Sequence, residues 1–234
     1  MSTLEHQITH RPDFAMVEVS LAAGQKLMAE PSAMASMDPG IHMKAALKGG
    51  IKASLGRAFG GENLIVNTFT AQDGPGEVVL APGVPGDAFH YALDNNTLFL
   101  QRGAYLANSE GVEVTGKWGG AKGFFSGQGL VMLQASGVGD VFFNSYGAIL
   151  EIDVSENGYI VDTGYIVAFE GSLTYNIRTV PGMSTGSKVK SFLFGGEGLV
   201  CEFNGQGKVW IQTRAAGPYL NWTWPFRPTK NDND

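Results

Sequence analysis

Three stretches, GGENLIVNTFTAQDGPGEVVL (Gly60 to Leu80), SGQGLVMLQASGVGDVFF (Ser126 to Phe143) and GGEGLVCEFNGQGKVWI (Gly195 to Ile211), share one order of features. Each opens on a Gly-rich turn, runs into a short strand, reverses at a Gly hairpin and returns as a second strand. The matched leucines Leu64, Leu130 and Leu199 stand 66 and 69 residues apart. A second series interleaves with the first: a Gly followed three residues later by an apolar residue, at Gly24/Leu27, Gly103/Leu106 and Gly164/Val167, separated by 79 and 61 residues. Two interleaved series in one order point to a triplicated unit.

The rest of the chain agrees with short strands. MVEVSL (Met16 to Leu21), VEVT (Val112 to Thr115), LEIDV (Leu150 to Val154), LTYNI (Leu173 to Ile177) and KVWIQT (Lys208 to Thr213) alternate apolar and polar residues, the period of a half-buried strand. Breaks such as DGPG (Asp73 to Gly76), SGVGD (Ser136 to Asp140) and NGQG (Asn204 to Gly207) supply the positive φ of tight turns. The expected fold is all-β: three tandem β-sandwich units of the double-stranded β-helix or attenuator-protein-like kind, each of about six to eight strands. The units span residues 12–86, 87–146 and 147–226, and RPTKNDND, residues 227–234, is read as a loose polar tail.

Composition narrows the function classes. At 234 residues and 44% apolar, the chain can bury a core unaided, and no apolar run reaches 18 residues, so no transmembrane segment is expected. Sixteen Lys and Arg against 22 Asp and Glu give a net charge of -6, which disfavours nucleic acid as a partner. One cysteine forbids an internal disulfide, and MSTLEHQITHRPDF lacks the pattern of a signal peptide, so the compartment is read as cytoplasmic. Charged residues make up only 16% of the chain and glycine 33 of 234 residues, against about 25% and 7% in ordinary domains. A surface so poor in charge fits one partly covered by other subunits, since interface cores are depleted in charge.

Residues 39–61, PGIHMKAALKGGIKASLGRAFGG, carry Lys44, Lys48, Lys52 and Arg57 and no acid, leaving 12 basic against 22 acidic groups elsewhere. The three lysines are spaced four apart, which predicts one helical face in a short helical insertion, although Gly49 and Gly50 weaken a continuous helix. The patch could meet an anionic membrane surface or an acidic partner, or be a solvated face.

Three motifs together, LGRAFGGENLIVNTF (Leu55 to Phe69), GVPGDAFHYAL (Gly83 to Leu93) and GGEGLVCEFNGQGKVWIQTR (Gly195 to Arg214), resemble the domain-of-unknown-function family that includes the yeast altered-inheritance-of-mitochondria protein of mitochondrial biogenesis. The resemblance spans about Phe14 to Thr213. It implies three fused copies of a fold similar to the tryptophan RNA-binding attenuator protein, and a trimeric ring in which three chains supply nine units. It implies no chemistry. The second unit has SGQG (Ser126 to Gly129) in place of GGEG, and the first has Asn63 in place of a Gly, which argues against a role requiring three equivalent Glu residues.

Catalytic signatures are sparse. His6, His10, His42 and His90 have no metal-ligand spacing, so no metal or other cofactor is expected, and His42 and His90 read as surface or half-buried side chains. Cys201 shares a strand face with Leu199 and Phe203, which places its thiol in the core, and GGIKASLG (Gly49 to Gly56) lacks the Gly-Lys-Ser/Thr ending of a phosphate loop. No nucleophile elbow or dinucleotide fingerprint is present, and the chain is read as no enzyme. Glu62 and Glu197 occupy equivalent positions after Gly pairs and read either as repeated interface contacts or as turn residues; Arg57 could pair with Glu62, and Arg214 could form an inter-subunit ion pair or point into water. Tyr219, Trp222, Trp224 and Phe226 are expected to seal a core or a subunit contact. The expected function is an oligomeric scaffold or interaction protein forming a trimeric ring; the alternative is a small-molecule binding module with its ligand in clefts between repeats or subunits.

Overall fold

The computed structural model describes residues 3–47, 65–117, 132–178 and 199–227. The described residues form seventeen strands. In the first third these are β1 (Glu5–Thr9), β2 (Met16–Leu21), β3 (Lys26–Ala29), β4 (Met34–Met37), β5 (Ile41–Leu47), β6 (Ile65–Ala71) and β7 (Gly76–Leu80). The middle holds β8 (Ala88–Gln101), β9 (Tyr105–Ser109), β10 (Val112–Lys117) and β11 (Met132–Asn144). The last third holds β12 (Ile149–Val154), β13 (Tyr159–Asp162), β14 (Ile166–Glu170), β15 (Thr174–Arg178), β16 (Val200–Asn204) and β17 (Gly207–Gln212). One helix, α1 (Ala216–Thr223), follows. The chain is all-β, as its period-two patterning requires. No helix among the described residues is long and apolar enough to cross a membrane.

One pairing scheme recurs along the chain. In the first third, β7 lies between β2 and β4, and β6 lies between β3 and β5. In the last third, β17 lies between β12 and β14, and β16 between β13 and β15. The middle does the same with two long strands that each serve both sheets. The Ala88–Asp94 part of β8 and β9 flank the C-terminal part of β11, while Thr97–Gln101 and β10 flank its N-terminal part. The break falls between Ser136 and Val138, opposite Asp94 and Thr97. Gly137 there has φ 113°, and a Cβ on it would collide with the Gly111 carbonyl, so only glycine fits.

A bulge recurs too. Met34 faces Leu80 and Ser36 faces Val79, leaving Ala35 as an extra residue in β4. Leu106 of β9 and Val167 of β14 are extra in the same way, before Ala107 opposite Phe142 and Ala168 opposite Trp210.

Strand ladders join the three parts. β9 pairs with β3 and β14 pairs with β8, both antiparallel, which merges ten strands into one sheet. Side chains cross with them. Leu106, Ala107 and Phe142 of the middle part sit in the core of Val17, Leu27 and Phe69; Val167, Ala168 and Trp210 of the last part sit in the core of Leu98, Tyr105 and Phe143. A third core gathers Val161, Phe169, Cys201 and Phe203. The connecting segments also lie side by side: Ala15 N donates to Gly86 O at 2.9 Å, Asp87 N to Gly147 O at 3.0 Å and Arg214 N to Tyr146 O at 3.2 Å. A side chain at Gly86 would run into the Ser145 carbonyl, which is why glycine stands at this crossing.

The expected helical face of the insertion is corrected at its start. Ile41–Leu47 is strand β5, paired along its whole length with Ile65–Ala71, so Lys44 lies exposed on a sheet opposite Thr68. A seven-residue ladder outweighs a short helix followed by two glycines, for which nucleation is unfavourable.

Candidate functional site: the junctions between parts and their open edges

The two junctions are built alike. At the first, Leu27, Met28 and Ala29 of β3 face Ser109, Asn108 and Ala107 of β9. At the second, Leu98, Phe99 and Leu100 of β8 face Glu170, Phe169 and Ala168 of β14. The Phe99 and Phe169 rings lie 5.0 Å apart. The bulged residues Leu106 and Val167 are fully buried there, each pressed into the core of the preceding part. Polar groups lie at both contacts, and at the first Tyr105 Oη donates across it to the Met28 carbonyl at 3.4 Å. Tyr105 Oη donates to Asn108 Oδ1 at 2.6 Å, and Asn108 Nδ2 donates to the Ser109 and Val112 carbonyls. Tyr91 Oη donates to Glu170 Oε1 at 2.8 Å across the second junction, where burial, first, and the Glu170 carboxylate push the phenol up to about 12.

Two strands carry the same edges without a neighbour. Among the described residues β4 pairs only with β7, and β13 only with β16. Ala35 and Ser36 are exposed, as are Met37 and Ile160, large apolar side chains at 38% and 45% exposure.

A second cluster was not foreseen from the sequence. The fully buried Asp140 carboxylate accepts from His90 Nε2 at 2.8 Å through Oδ1 and from Leu4 N at 2.8 Å through Oδ2, while Asp140 N donates to Ser109 Oγ at 2.9 Å. Burial pushes the Asp140 carboxyl up, but the His90 and Leu4 hydrogen bonds and the two imidazoles outweigh it, so it titrates below its ordinary value. The His6 ring packs 4.1 Å from His90 and 5.0 Å from Phe142, and His6 Nδ1 donates to Leu4 O at 2.9 Å. The cluster fastens the start of β1 to β11. A cue existed in retrospect: HYAL (His90 to Leu93) is a strand whose partner register brings His90 beside Phe142, but only the pairing reveals Asp140.

The other predicted residues scatter. Arg214 is exposed, its Nη1 donating to Thr213 O at 2.9 Å, at the end of the stacked connecting segments. Lys48, Lys52, Arg57, Glu62 and Glu197 lie outside the described residues, as do the proposed Arg57 and Glu62 pair and most of the insertion. His42 is exposed beside Asp73 at 2.8 Å, and His90 is half-buried. Cys201 is buried, and burial pushes its thiol up to about 12, which suits packing rather than nucleophilic chemistry. Tyr219, Trp222, Trp224 and Phe226 do not seal a core of the described residues: they are 48 to 76% exposed on α1 and the turn after it. The reason is that α1 buries none of its residues and meets the sheets through a Tyr146 and Tyr219 edge contact at 5.8 Å. A depression near the β12–β13 turn, about 640 Å3, is lined by Asp153, Glu156, Glu170 and Lys208, with several polar groups already engaged: Lys208 N donates to Glu170 Oε2 at 2.9 Å and Lys208 Nζ pairs with Glu151.

The family model for mitochondrial biogenesis AIM24 matches residues 6–214, from β1 to the end of the stacked connections. The chain belongs to the AIM24 family. This AIM24 chain is 26% identical over 230 residues to an uncharacterized protein of Streptococcus pyogenes, covering 94% of its own length and 89% of the relative. An X-ray crystal structure of a Streptococcus pyogenes protein superposes with a TM-score of 0.79 at 22% identity, over 96% of the AIM24 chain and 100% of the other. The likeness between those two folds extends over all three parts of the AIM24 chain.

Proposed function

We propose that the chain is a non-enzymatic subunit of a homotrimeric ring that serves as a scaffold for protein partners. One observation carries this reading: β9 docks on β3 and β14 docks on β8 in the same sense, so the parts add head to tail, and among the described residues the series ends at an open edge of β4 on one side and of β13 on the other. A head-to-tail contact that repeats by rotation generates a ring when it closes. We read the three parts as tandem copies of one attenuator-protein-like unit, and the ring as nine units from three chains. The 16% charged content fits a subunit whose surface is shared with neighbours. The single cysteine, buried and unpaired, fits a reducing compartment, the cytoplasm.

Native mass spectrometry of gently purified protein tests the reading. The expected species has three times the chain's 24.9 kDa and no further mass. A monomer removes the ring. A ring that carries a small adduct moves the function to ligand binding, with the adduct's mass as the first clue to its class.

A further inference from the structure

We propose that the segment from Arg214 to Arg227 docks on an anionic lipid bilayer, with its aromatic rings at headgroup depth and its arginines on the lipid phosphates. All of it but Arg214 lies beyond residues 6–214, the part of the chain that matches the family, and the two junctions use none of it.

Residues 219–226 hold five large apolar side chains: Tyr219, Leu220, Trp222, Trp224 and Phe226. Helical spacing sends them to more than one side. Tyr219, Trp222 and Phe226 stand at i, i+3 and i+7 and form a row of rings with centroids 6.1 and 6.0 Å apart, while Leu220 and Trp224, four apart, follow each other on another side. A helix that is apolar on several sides belongs inside a core or a membrane. This one buries no residue, and all five of the large side chains are exposed. Rings that splay to several sides suit a fluid interface, which closes around them, better than a protein groove, which takes one face of a helix.

The charge around the rings has one sign. Between Lys208 and Asp232 the sequence holds Arg214, Arg227 and Lys230 and no acid, in a chain whose net charge is -6. That local excess complements anionic lipid. The Arg227 guanidinium lies 3.4 Å from the centre of the Trp224 ring, which sets a positive charge beside an apolar surface, as an arginine at a bilayer interface requires. Trp and Tyr concentrate at this depth because each has an apolar body and a polar handle.

The segment leaves the molecule at the stacked connections, where Tyr219 meets Tyr146 and Arg214 N donates to Tyr146 O. The neighbouring connections present two more large apolar side chains: Phe14, next to Ala15, and Val84, two residues before Gly86, at 72% and 41% exposure. Among the described residues, seven of the twelve exposed large apolar side chains therefore lie on these connections or on the segment that leaves them. Such a concentration marks a contact surface, whereas single exposed apolar residues need no explanation. Acid is scarce there as well. Asp87 is buried and accepts from Arg11 Nε at 2.7 Å and Nη2 at 3.0 Å, which leaves Asp13 as the exposed acid among residues 11–15, 83–87, 145–148 and 212–215.

The test floats the full chain with vesicles of phosphatidylglycerol mixed with phosphatidylcholine, and with vesicles of phosphatidylcholine alone. Wild-type protein is expected to float with the mixed vesicles and to bind the neutral ones about tenfold more weakly. Trp222→Ser, Trp224→Ser and Phe226→Ser made together are expected to weaken binding to the mixed vesicles by about tenfold or more. Circular dichroism and assembled mass should stay as in wild type, since none of the three side chains is buried. Arg214→Gln with Arg227→Gln is expected to narrow the gap between the two kinds of vesicle, and Lys44→Glu, on β5, to leave binding by the segment in place. Wild-type protein that does not float, or a serine variant that floats as well as wild type, overturns the bilayer contact. Flotation lost in Lys44→Glu alone overturns it in favour of β5. A serine variant whose assembled mass falls overturns it too, and makes the segment a contact between copies of the chain.

Discussion

Asp140 shows how one residue fixes an element. Its buried carboxylate is held below its ordinary value by the His90 and Leu4 hydrogen bonds, which outweigh the opposing effect of burial. A carboxyl whose folded pKa lies below its unfolded one stabilises the fold above the unfolded value, and that contribution disappears as pH falls through the folded value. Asp140→Asn keeps the size but loses the charge. The variant should therefore melt below wild type at about pH 7, and the gap should narrow as pH falls from about 5 to about 3. Thermal unfolding across that range checks it; a gap that stays constant would mean that the charge contributes nothing. The pairing of His90 with Asp140 was hidden in the sequence because the two residues are 50 apart and lie on strands whose register no local pattern encodes. Cys201, by contrast, was legible, since Leu199, Cys201 and Phe203 alternate toward one face and the thiol is buried.

Elements divide in the same way. The strands of the last third were readable from alternation, since LEIDV and KVWIQT overlap β12 and β17 closely. β5 was not: the lysine spacing in residues 41–52 matches a helix, and only its partner β6 decides for a strand. The C-terminal aromatics read as sealing a core or a subunit contact, and among the described residues they seal no core. Their density predicts burial, yet α1 is eight residues long with no buried residue, and Trp224 spends its ring on the Arg227 guanidinium 3.4 Å from its centroid. The family match also stops at Arg214, before α1 begins. Ending the chain after Ala215 should therefore change unfolding stability by less than about 0.5 kcal/mol, the range of surface changes that remove no buried contact. Chemical denaturation of the shortened protein checks this, and a larger loss would show that the aromatics pack on a surface of the assembly.

At the scale of the whole molecule, the forces that join the parts determine how an assembly of copies should respond to salt. The internal junctions are backbone ladders with apolar and hydrogen-bonded side chains crossing them: Leu106 and Val167 in the neighbouring cores, Phe99 against Phe169, Tyr91 on Glu170. The open edges offer the same kind of surface in Ala35, Met37 and Ile160. Exposed charge pairs weaken when the screening length shrinks to about 3 Å at 1 M salt, whereas apolar burial does not. The basic stretch around Lys44 obeys the other rule, since attraction of exposed lysines to an anionic bilayer is electrostatic and falls off within the screening length. Raising NaCl from about 0.1 to about 1 M should accordingly leave the assembled mass unchanged while abolishing any flotation with anionic vesicles that a chain ended after Ala215 retains. Light scattering and flotation on one preparation separate the two surfaces: an assembly that dissociates in salt would place its contacts on charged edges such as β5 or β15, against the uncharged β4.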